Sequence, residues 1–202
     1  RGEPSEMKFT FNNVRTLEEF AQRAGAKFQG SKADFLKALR DPTICKKVQH
    51  TPTNIGCILL ADSYQFFWDV SPEKLIQHFD NYYKQFWNDE RKAKATALGL
   101  MPDEVVILAS IVEEETAKRD ERGKVGRLYL NRLQKNMRLQ ADPTVKYAIG
   151  DFSIKRITEK MCAFDSPYNT YRVAGLPPGP IRLVEKQTID AILDSKPHNY
   201  IY

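Results

Sequence analysis

The chain has 202 residues, a net charge of +5 and 42% hydrophobic residues, which is the composition of an ordinary folded protein with one large domain or two small ones. Lysines and arginines are scattered and form no stripe interleaved with aromatic rings, so we expect no nucleic-acid partner. The longest apolar runs, such as VVILASIV at 105–112, have the length of core segments and not of a bilayer crossing.

The first seventy residues predict the order strand, helix, helix, strand. MKFTFNNV at the start alternates apolar and polar residues, which is typical of a strand. A helix follows, for which Thr16 is the candidate N-cap and Glu19 has the capping-box spacing. Ser31 caps a second short helix that ends near Pro42, and CILLADSYQFFWDV supplies a loop and a second strand.

The remaining residues, 71–202, predict a mainly helical unit. Ser71 and Pro72 open one long helix to about residue 95, with aromatic residues at the helical spacing that favours core packing. Another helix begins at Met101–Pro102, a third lies in ERGKVGRLYLNRLQKN, and the last lies in RLVEKQTIDAILDS, residues 182–195. The predicted fold class is therefore α+β.

Three consecutive glutamates, 113–115, end the apolar run of the helix that begins at Met101–Pro102. Helix geometry places Glu115 in line with the apolar stripe and Glu113 above a weaker apolar surface. A carboxyl held against aliphatic side chains loses hydration of its charged form, so its pKa should rise, as general acid catalysis requires. Glu115 is therefore the candidate acid. The alternative is a solvated helix face in which Glu115 pairs with Arg119.

A second unusual stretch is the loop SPYNTYRVAGLPPGP at 166–180. Prolines flanked by glycines favour tight, rigid turns. The YNTY segment at 168–171 brings together two rings, an amide and a hydroxyl, and these are the groups that stack on sugar rings and pair with sugar hydroxyls. An ordinary polar turn whose tyrosines fill the core is equally compatible with the pattern.

Cysteine and histidine residues indicate no cofactor or metal site. The three cysteines form no CxxC pair, and the three histidines form no paired-ligand motif. The spacing of Cys45 and Cys57 is compatible with one bridge, and equally with two buried free thiols.

Several of these stretches together resemble one family. LASIVEEET, VGRLYLNRLQKNMRLQADPTVKYA and SPYNTYRVAGLPPGPI look like the signature blocks of the endolytic murein transglycosylases (the MltG or YceG-like family), in the same order and spacing. IGCILLADSYQFF resembles the family's pre-catalytic segment. The resemblance implies a small LysM-like βααβ subdomain at 1–70 and a mainly helical catalytic domain at 71–202. The family's usual glutamate before this domain falls on Gly56 or Ile55, and its usual proline on Ala61.

The resemblance also implies an activity. The family consists of lytic transglycosylases that cut the β-1,4 bond between N-acetylmuramic acid and N-acetylglucosamine in nascent peptidoglycan strands, leaving 1,6-anhydro ends. Glu115, followed by Thr116, matches the family's catalytic glutamate and the small hydroxyl residue after it. The candidate substrate contacts are Tyr168, Asn169, Thr170, Tyr171, Gln140, Asp142 and Thr144.

The same resemblance predicts a setting for the protein. It implies the periplasmic face of the bacterial inner membrane, with a single-pass anchor upstream of residue 1. Peptidoglycan glycan strands would be the substrate, and peptidoglycan synthases would be the partners.

Two other classes of function stay open at this point. One is a peptidoglycan-binding module without catalysis, which the LysM-like half and the missing glutamate favour. The other is a hydrolase that uses Asp142 or Asp165 as a second carboxylate. The reaction products distinguish an anhydro end, an unchanged polymer and a reducing end.

Overall fold

The computed structural model describes residue 3 and residues 5–202, so residues 1, 2 and 4 of the predicted first unit lie outside the described part. The fold is α+β, as the sequence predicts. Strands β1 (Glu6–Thr10) and β2 (Ser63–Phe67) pair antiparallel, with Glu6 opposite Phe67 and Thr10 opposite Ser63. Between the strands lie α1 (Leu17–Lys27), α2 (Lys32–Leu39), α3 (Pro42–Lys47) and a 3₁₀ turn (Ile55–Ile58).

The chain after β2 is built from helices joined by loops. Their bounds are α4 (Pro72–Phe86), α5 (Asp89–Ala97), α6 (Pro102–Glu115), α7 (Arg122–Gln134), α8 (Asp142–Ile149), α9 (Glu159–Cys162) and α10 (Lys186–Leu193), with a 3₁₀ turn (Arg119–Glu121) before α7. No single helix within the described residues has the length and apolar character needed to cross a membrane. Helices α5 and α6 meet these criteria only when they are taken together across a bend of 74°.

Side-chain caps explain where the first helices begin. The Thr16 hydroxyl accepts the Glu19 N–H at 3.1 Å, as predicted, but the Glu19 carboxylate accepts the Arg15 N–H instead of closing a capping box. Ser31 forms the complete box with Asp34. Each cap supplies partners for backbone N–H groups that the first helical turn leaves unpaired.

The single long helix predicted for residues 71–95 is wrong, because the chain breaks it into α4 and α5. Trp87 leaves the helical conformation with ψ of 66°. The Asn88 side chain then accepts the Arg91 N–H at 2.9 Å and starts a new helix. A short polar side chain that can cap a helix competes with continuing the previous one.

The last helix also differs from the prediction, since it begins at Lys186 and not near residue 182. Residues before it are held by the first half of the chain. The Leu183 N–H donates to the Val14 carbonyl at 2.9 Å, and the Ala61 N–H donates to the Val184 carbonyl at 2.8 Å. These bonds fix the segment 181–184 against the first half of the chain.

One buried cluster runs through both halves of the chain. Phe79 of α4 packs against Phe11, Phe20 and Tyr64 with ring centroids 4.8 to 5.9 Å apart, so α4 completes the core of the strand–helix unit. The predicted division at residue 70 therefore lies within a shared core, and its use as a domain boundary stays a prediction. Cys45 and Cys57 are both buried free thiols, so they do not form a bridge.

The two halves also meet where Gly179 passes under the Thr53 carbonyl. A Cβ on Gly179 would lie 2.2 Å from that oxygen and 3.0 Å from the Tyr168 hydroxyl, so a side chain cannot fit without movement of the backbone. Only glycine allows the PPGP loop to approach the first half this closely.

We expect Gly179→Ala to lower the free energy of unfolding by about 2–3 kcal/mol, the upper part of the usual cost of overpacking a tight contact. Gly99→Ala is the matched control. Gly99 has φ of +75° and open space where a Cβ would go, so that variant reports backbone strain alone, at about 1 kcal/mol. Urea denaturation measures both. An equal or smaller cost at Gly179 would show that the approach does not constrain the fold.

Candidate active site

The candidate site lies at the C-terminal end of α6. Residues 105–112 of this helix are all buried, so α6 is the central helix of the second half. It ends with Glu113, Glu114 and Glu115, at the pole of the helix dipole that disfavours negative charge. Each carboxylate there needs a compensating partner or an environment that favours its neutral form.

Glu113 is the innermost of the three glutamates and braces the fold. Its Oε1 accepts the Glu185 N–H at 2.7 Å and the Thr188 hydroxyl at 2.8 Å, and so provides a hydrogen-bond acceptor for two donors at the start of α10. Its Oε2 lies 3.0 Å from Arg182 Nε as an ion pair. Burial raises the pKa of Glu113, and the bonds from Glu185 and Thr188 and the nearby arginines oppose the rise.

This placement corrects the stripe argument, which put Glu115 and not Glu113 closest to the core. Small residues on the Glu113 face explain the difference. Ser110 is fully buried and its hydroxyl accepts the Ile181 N–H at 3.0 Å, so the segment 181–184 lies directly against that face. The helix face that looks only weakly apolar in the sequence is the face on which small side chains permit the closest packing.

Glu114 is neutralised by two arginines. Arg15, in the loop after β1, donates from Nε to the Glu114 carboxylate at 2.7 Å. Arg182 Nη1 donates to the same carboxylate at 3.2 Å, so Arg182 bridges Glu113 and Glu114. The ion pair with Arg15 ties the first half of the chain to the end of α6.

Glu115 differs from both of its neighbours. Its carboxyl accepts a hydrogen bond from the buried Tyr129 hydroxyl of α7 at 3.3 Å. Among the described residues, no lysine, arginine or histidine nitrogen lies within 4 Å of it. The alternative pairing with Arg119 is not formed, because Arg119 lies 3.4 Å from Glu185. Glu115 is therefore open to solvent and free of a cation partner.

The surroundings of Glu115 favour its protonated form. The groups around the carboxyl displace part of its hydration, which raises its pKa, and the negative charge of Asp142 raises it further. The hydrogen bond from Tyr129 and the positive charge of Lys146 act in the opposite direction. The net rise is the direction that a general acid near neutral pH requires.

A second carboxylate, that of Asp142, lies close enough to Glu115 to influence its pKa. Asp142 is the first residue of α8, is exposed to solvent, and accepts a hydrogen bond from the Tyr171 hydroxyl. Burial and the Asp142 carboxylate raise the pKa of Tyr171, which keeps it a donor. The sequence-predicted residues that the structure brings together at the site are thus Glu115, Asp142 and Tyr171. Gln140 lies two residues before Asp142 with an exposed side chain.

Three predicted sugar contacts are buried and are used by the protein itself. The Asn169 amide donates to the carbonyls of Cys162 and Phe164 at 3.0 and 2.8 Å, and its oxygen accepts the Tyr171 N–H at 3.0 Å. The hydroxyls of Thr170 and Thr144 lie 2.7 Å apart. All three side chains are 1% exposed or less.

These three placements correct the prediction of direct sugar contact, because side chains without a free surface cannot touch a ligand. The Ala141 N–H donates to the Thr170 hydroxyl at 2.9 Å, and the Thr144 hydroxyl donates to the Ala141 carbonyl at 2.7 Å. Thr170 and Thr144 therefore hold the start of α8 against the loop. Asn169 holds the loop in the shape that carries Tyr171 to Asp142.

Tyr168 belongs to a separate small cavity of roughly 100 Å³, whose lining does not include Glu115. Its ring packs on Tyr147 with centroids 4.8 Å apart. Gly56 lines the same cavity, whereas Ile55 is fully buried. Of the two positions that align with the family's usual glutamate, only Gly56 could present a side chain to this space.

Two residues of the site gave little signal in the sequence. Tyr129 has the spacing of a core residue on α7, and only the fold shows that its hydroxyl reaches Glu115. Lys146 lies one helical turn after Asp142, so both face the same side of α8. Larger concavities of roughly 310 and 500 Å³ lie elsewhere, so side-chain chemistry and not cavity size identifies the site. Within the described part of the chain, no three His, Cys, Asp or Glu side chains gather as metal ligands, and metal independence stays a prediction.

The fold and the paired carboxyls define an α+β protein whose central helix ends in a carboxyl site. The chain belongs to the YceG-like family, whose profile matches residues 1–202, so the family predicted from the sequence blocks is confirmed. The crystal structure of a YceG-like protein from Listeria monocytogenes is similar over 96% of this chain and 68% of that one. Its TM-score is 0.75 and its sequence is 30% identical.

Two curated relatives are each named endolytic murein transglycosylase. The protein from Bacillus subtilis (strain 168) is 35% identical over 128 residues, which is 63% of this chain and 34% of the relative. The protein from Streptococcus pneumoniae serotype 2 is 28% identical over 222 residues, covering 96% of this chain and 39% of the relative. The chain thus spans little more than a third of the length of these relatives.

The different roles of Glu113 and Glu115 predict different effects on stability. Glu113→Gln should lower the free energy of unfolding by about 3 kcal/mol, because it removes one partner of a buried ion pair. Glu115→Gln should change it by less than about 0.5 kcal/mol, since the carboxyl is open to solvent and its charged form is not favoured there. Urea denaturation at neutral pH compares the two. A larger loss for Glu115→Gln would mean that the two roles are reversed.

Proposed function

We propose that this chain contains the catalytic centre of an endolytic lytic transglycosylase that cleaves peptidoglycan glycan strands. The observation that carries the proposal is that the three glutamates at the end of α6 have different environments. Glu113 and Glu114 are paired with arginines, while Glu115 is open, has a raised pKa and, among the described residues, accepts a side-chain hydrogen bond only from a tyrosine hydroxyl. The names of the curated relatives support the same activity.

In the proposed reaction, Glu115 acts first as acid and then as base. The protonated carboxyl donates its proton to the glycosidic oxygen as the bond to the muramyl C1 breaks, which releases the N-acetylglucosamine O4 as a hydroxyl. The muramyl C6 hydroxyl then forms a bond to C1, and its proton passes to the Glu115 carboxylate. The acid is regenerated and no water is consumed. The attack is intramolecular, which gives it a large entropic advantage over attack by water.

The subdomain, cellular setting and partner predicted from the sequence are part of the same proposal. The strand–helix unit before α4 would be a LysM-like subdomain that contacts glycan without chemistry. Two large rings at the end of β2, Phe67 and Trp68, are 48% and 44% exposed, and exposed rings of this kind stack on sugars. We propose an extracytoplasmic setting at the periplasmic face of the inner membrane, with an upstream anchor and a peptidoglycan synthase as partner.

Glu115→Gln should reduce cleavage of peptidoglycan by at least about a hundredfold, the usual contribution of acid–base catalysis. The amide keeps the size of the side chain but cannot deliver the proton. Glu90→Gln is the control, because Glu90 is an exposed glutamate of α5 whose side chain is 75% exposed. Release of soluble muropeptides, followed by chromatography, gives the rates. Full activity in Glu115→Gln, with loss of activity in a folded Glu113→Gln, would show that Glu115 is not the catalytic acid.

The products should end in 1,6-anhydro-N-acetylmuramic acid and should contain no oxygen from solvent. Digestion in heavy-oxygen water followed by mass spectrometry tests this, and a chelator in a parallel digestion should leave the rate unchanged. Labelled reducing ends would identify a hydrolase with a second carboxylate as nucleophile or base. An unchanged polymer would favour a binding module without catalysis.

A further inference from the structure

Two tyrosine–carboxyl pairs face the candidate site from different elements. The Tyr129 hydroxyl of α7 donates to Glu115, and the Tyr171 hydroxyl of the 166–180 loop donates to Asp142. We infer that Asp142 is a second catalytic carboxylate, which stabilises the positive charge that develops at the muramyl C1 while Glu115 handles the proton. This inference rests on the proposed function and adds a residue and a role to it.

The position of Asp142 favours a fixed negative charge. It is the first residue of α8, where the helix dipole stabilises an anion. The hydrogen bond from Tyr171 orients the carboxylate. Among the described residues, no lysine, arginine or histidine nitrogen lies within 4 Å of Asp142, so protein cations do not neutralise its charge directly. Its side chain is open to a ligand.

The loop around Asp142 is built to hold this arrangement. The Asn169 amide donates to the Cys162 carbonyl of α9 and accepts the Tyr171 N–H, and Thr170 and Thr144 join the loop to the first turn of α8. These buried contacts fix Tyr171 and Asp142 relative to each other. Preorganised charge costs no rearrangement at the moment of reaction, which is why it is effective in catalysis.

The two carboxyls influence each other in the direction that the reaction needs. The negative charge of Asp142 is close enough to Glu115 to raise its pKa, which favours a proton on Glu115. Neighbouring carboxyls with different environments are a recurring arrangement for dividing acid and electrostatic roles.

The chemistry of glycosidic cleavage gives Asp142 its role. As the bond between C1 and the leaving oxygen breaks, C1 and the ring oxygen share a positive charge, and a nearby carboxylate lowers the energy of that state. Asp142 forms no bond to the sugar and accepts no proton. The C6 hydroxyl remains the nucleophile, and its proton still passes to Glu115. Asp142 therefore differs from the second carboxylate of a hydrolase.

Asp142→Asn tests the charge directly, because asparagine keeps the size of the side chain and an oxygen that can accept the Tyr171 hydrogen bond. We expect kcat to fall by about a hundredfold or more, with little change in KM or Tm. Tyr171→Phe is the matched variant, since it removes the hydrogen bond and leaves the charge. We expect it to lower kcat by only about tenfold, the value of one such bond.

The pH dependence separates a catalytic charge from a structural role. Glu115 must be protonated to act as acid, so its pKa sets the alkaline limit of kcat/KM. Asp142→Asn removes a charge that raises this pKa, so the limit should move to lower pH. Tyr129→Phe removes a donor to the ionised form, so the limit should move to higher pH. A purely structural defect would not shift the two variants in opposite directions.

A third variant covers the case in which Asp142→Asn folds poorly. Asp142→Ala leaves space for formate, which should restore part of kcat if negative charge is what matters. Normal kcat in Asp142→Asn, a loss confined to KM, or absence of rescue in a folded but slow Asp142→Ala would each overturn the inference. Glu115→Gln is measured beside them. If Glu115→Gln is inactive while Asp142→Asn has normal activity, only the role inferred for Asp142 is wrong. If Glu115→Gln is active, the proposed function itself is wrong.

Discussion

The bridge that Arg182 makes between Glu113 and Glu114 is the interaction on which the rest of the structure depends. It joins the end of α6 to the segment 181–184, and that segment is bonded in turn to Val14 and Ala61 of the first half. A buried ion pair is costly to desolvate, and here the Glu185 N–H and the Thr188 hydroxyl also donate to Oε1 of Glu113. With two glutamates fixed in this way, the third is held at the surface, where none of the described residues supplies it with a cation.

Local patterns predicted much of the fold, because they act within a few residues. The caps at Thr16, Ser31 and Ser71 and the start of α6 at Pro102 follow from side chains beside the backbone they satisfy. The break at Trp87 was missed because a charged, helix-favouring sequence continues on both sides of it. The late start of α10 was missed because its cause lies in contacts with Val14 and Ala61, far away in the sequence.

Contacts between residues far apart in the sequence also decide the environments of the site residues. Periodicity ranks Glu113, Glu114 and Glu115 by the apolar residues of their own helix, yet their environments are decided by Arg15, Arg182 and the start of α10. The sequence favoured Glu115 for its position on the stripe, whereas the structure favours it for the absence of a cation partner among the described residues. Distant contacts also decide the roles of the side chains in the YNTY segment. Its polarity indicates a binding surface, but Asn169 donates to the end of α9, and Thr170 accepts from the backbone at the start of α8.

The existing ion pairs offer a physical account of the departure at Gly56. Arg15 pairs with Glu114, and Arg182 pairs with Glu113 and Glu114. Gly56 lines the cavity that Arg15 and Arg182 share, so a glutamate there would compete with carboxylates that these arginines already bind. A Cβ at Gly56 would also lie 3.1 Å from the Pro180 ring, which restricts the space for a longer side chain. In this chain Arg15 and Arg182 have carboxylate partners without a glutamate at Gly56, and the negative charge of Asp142 raises the pKa of Glu115.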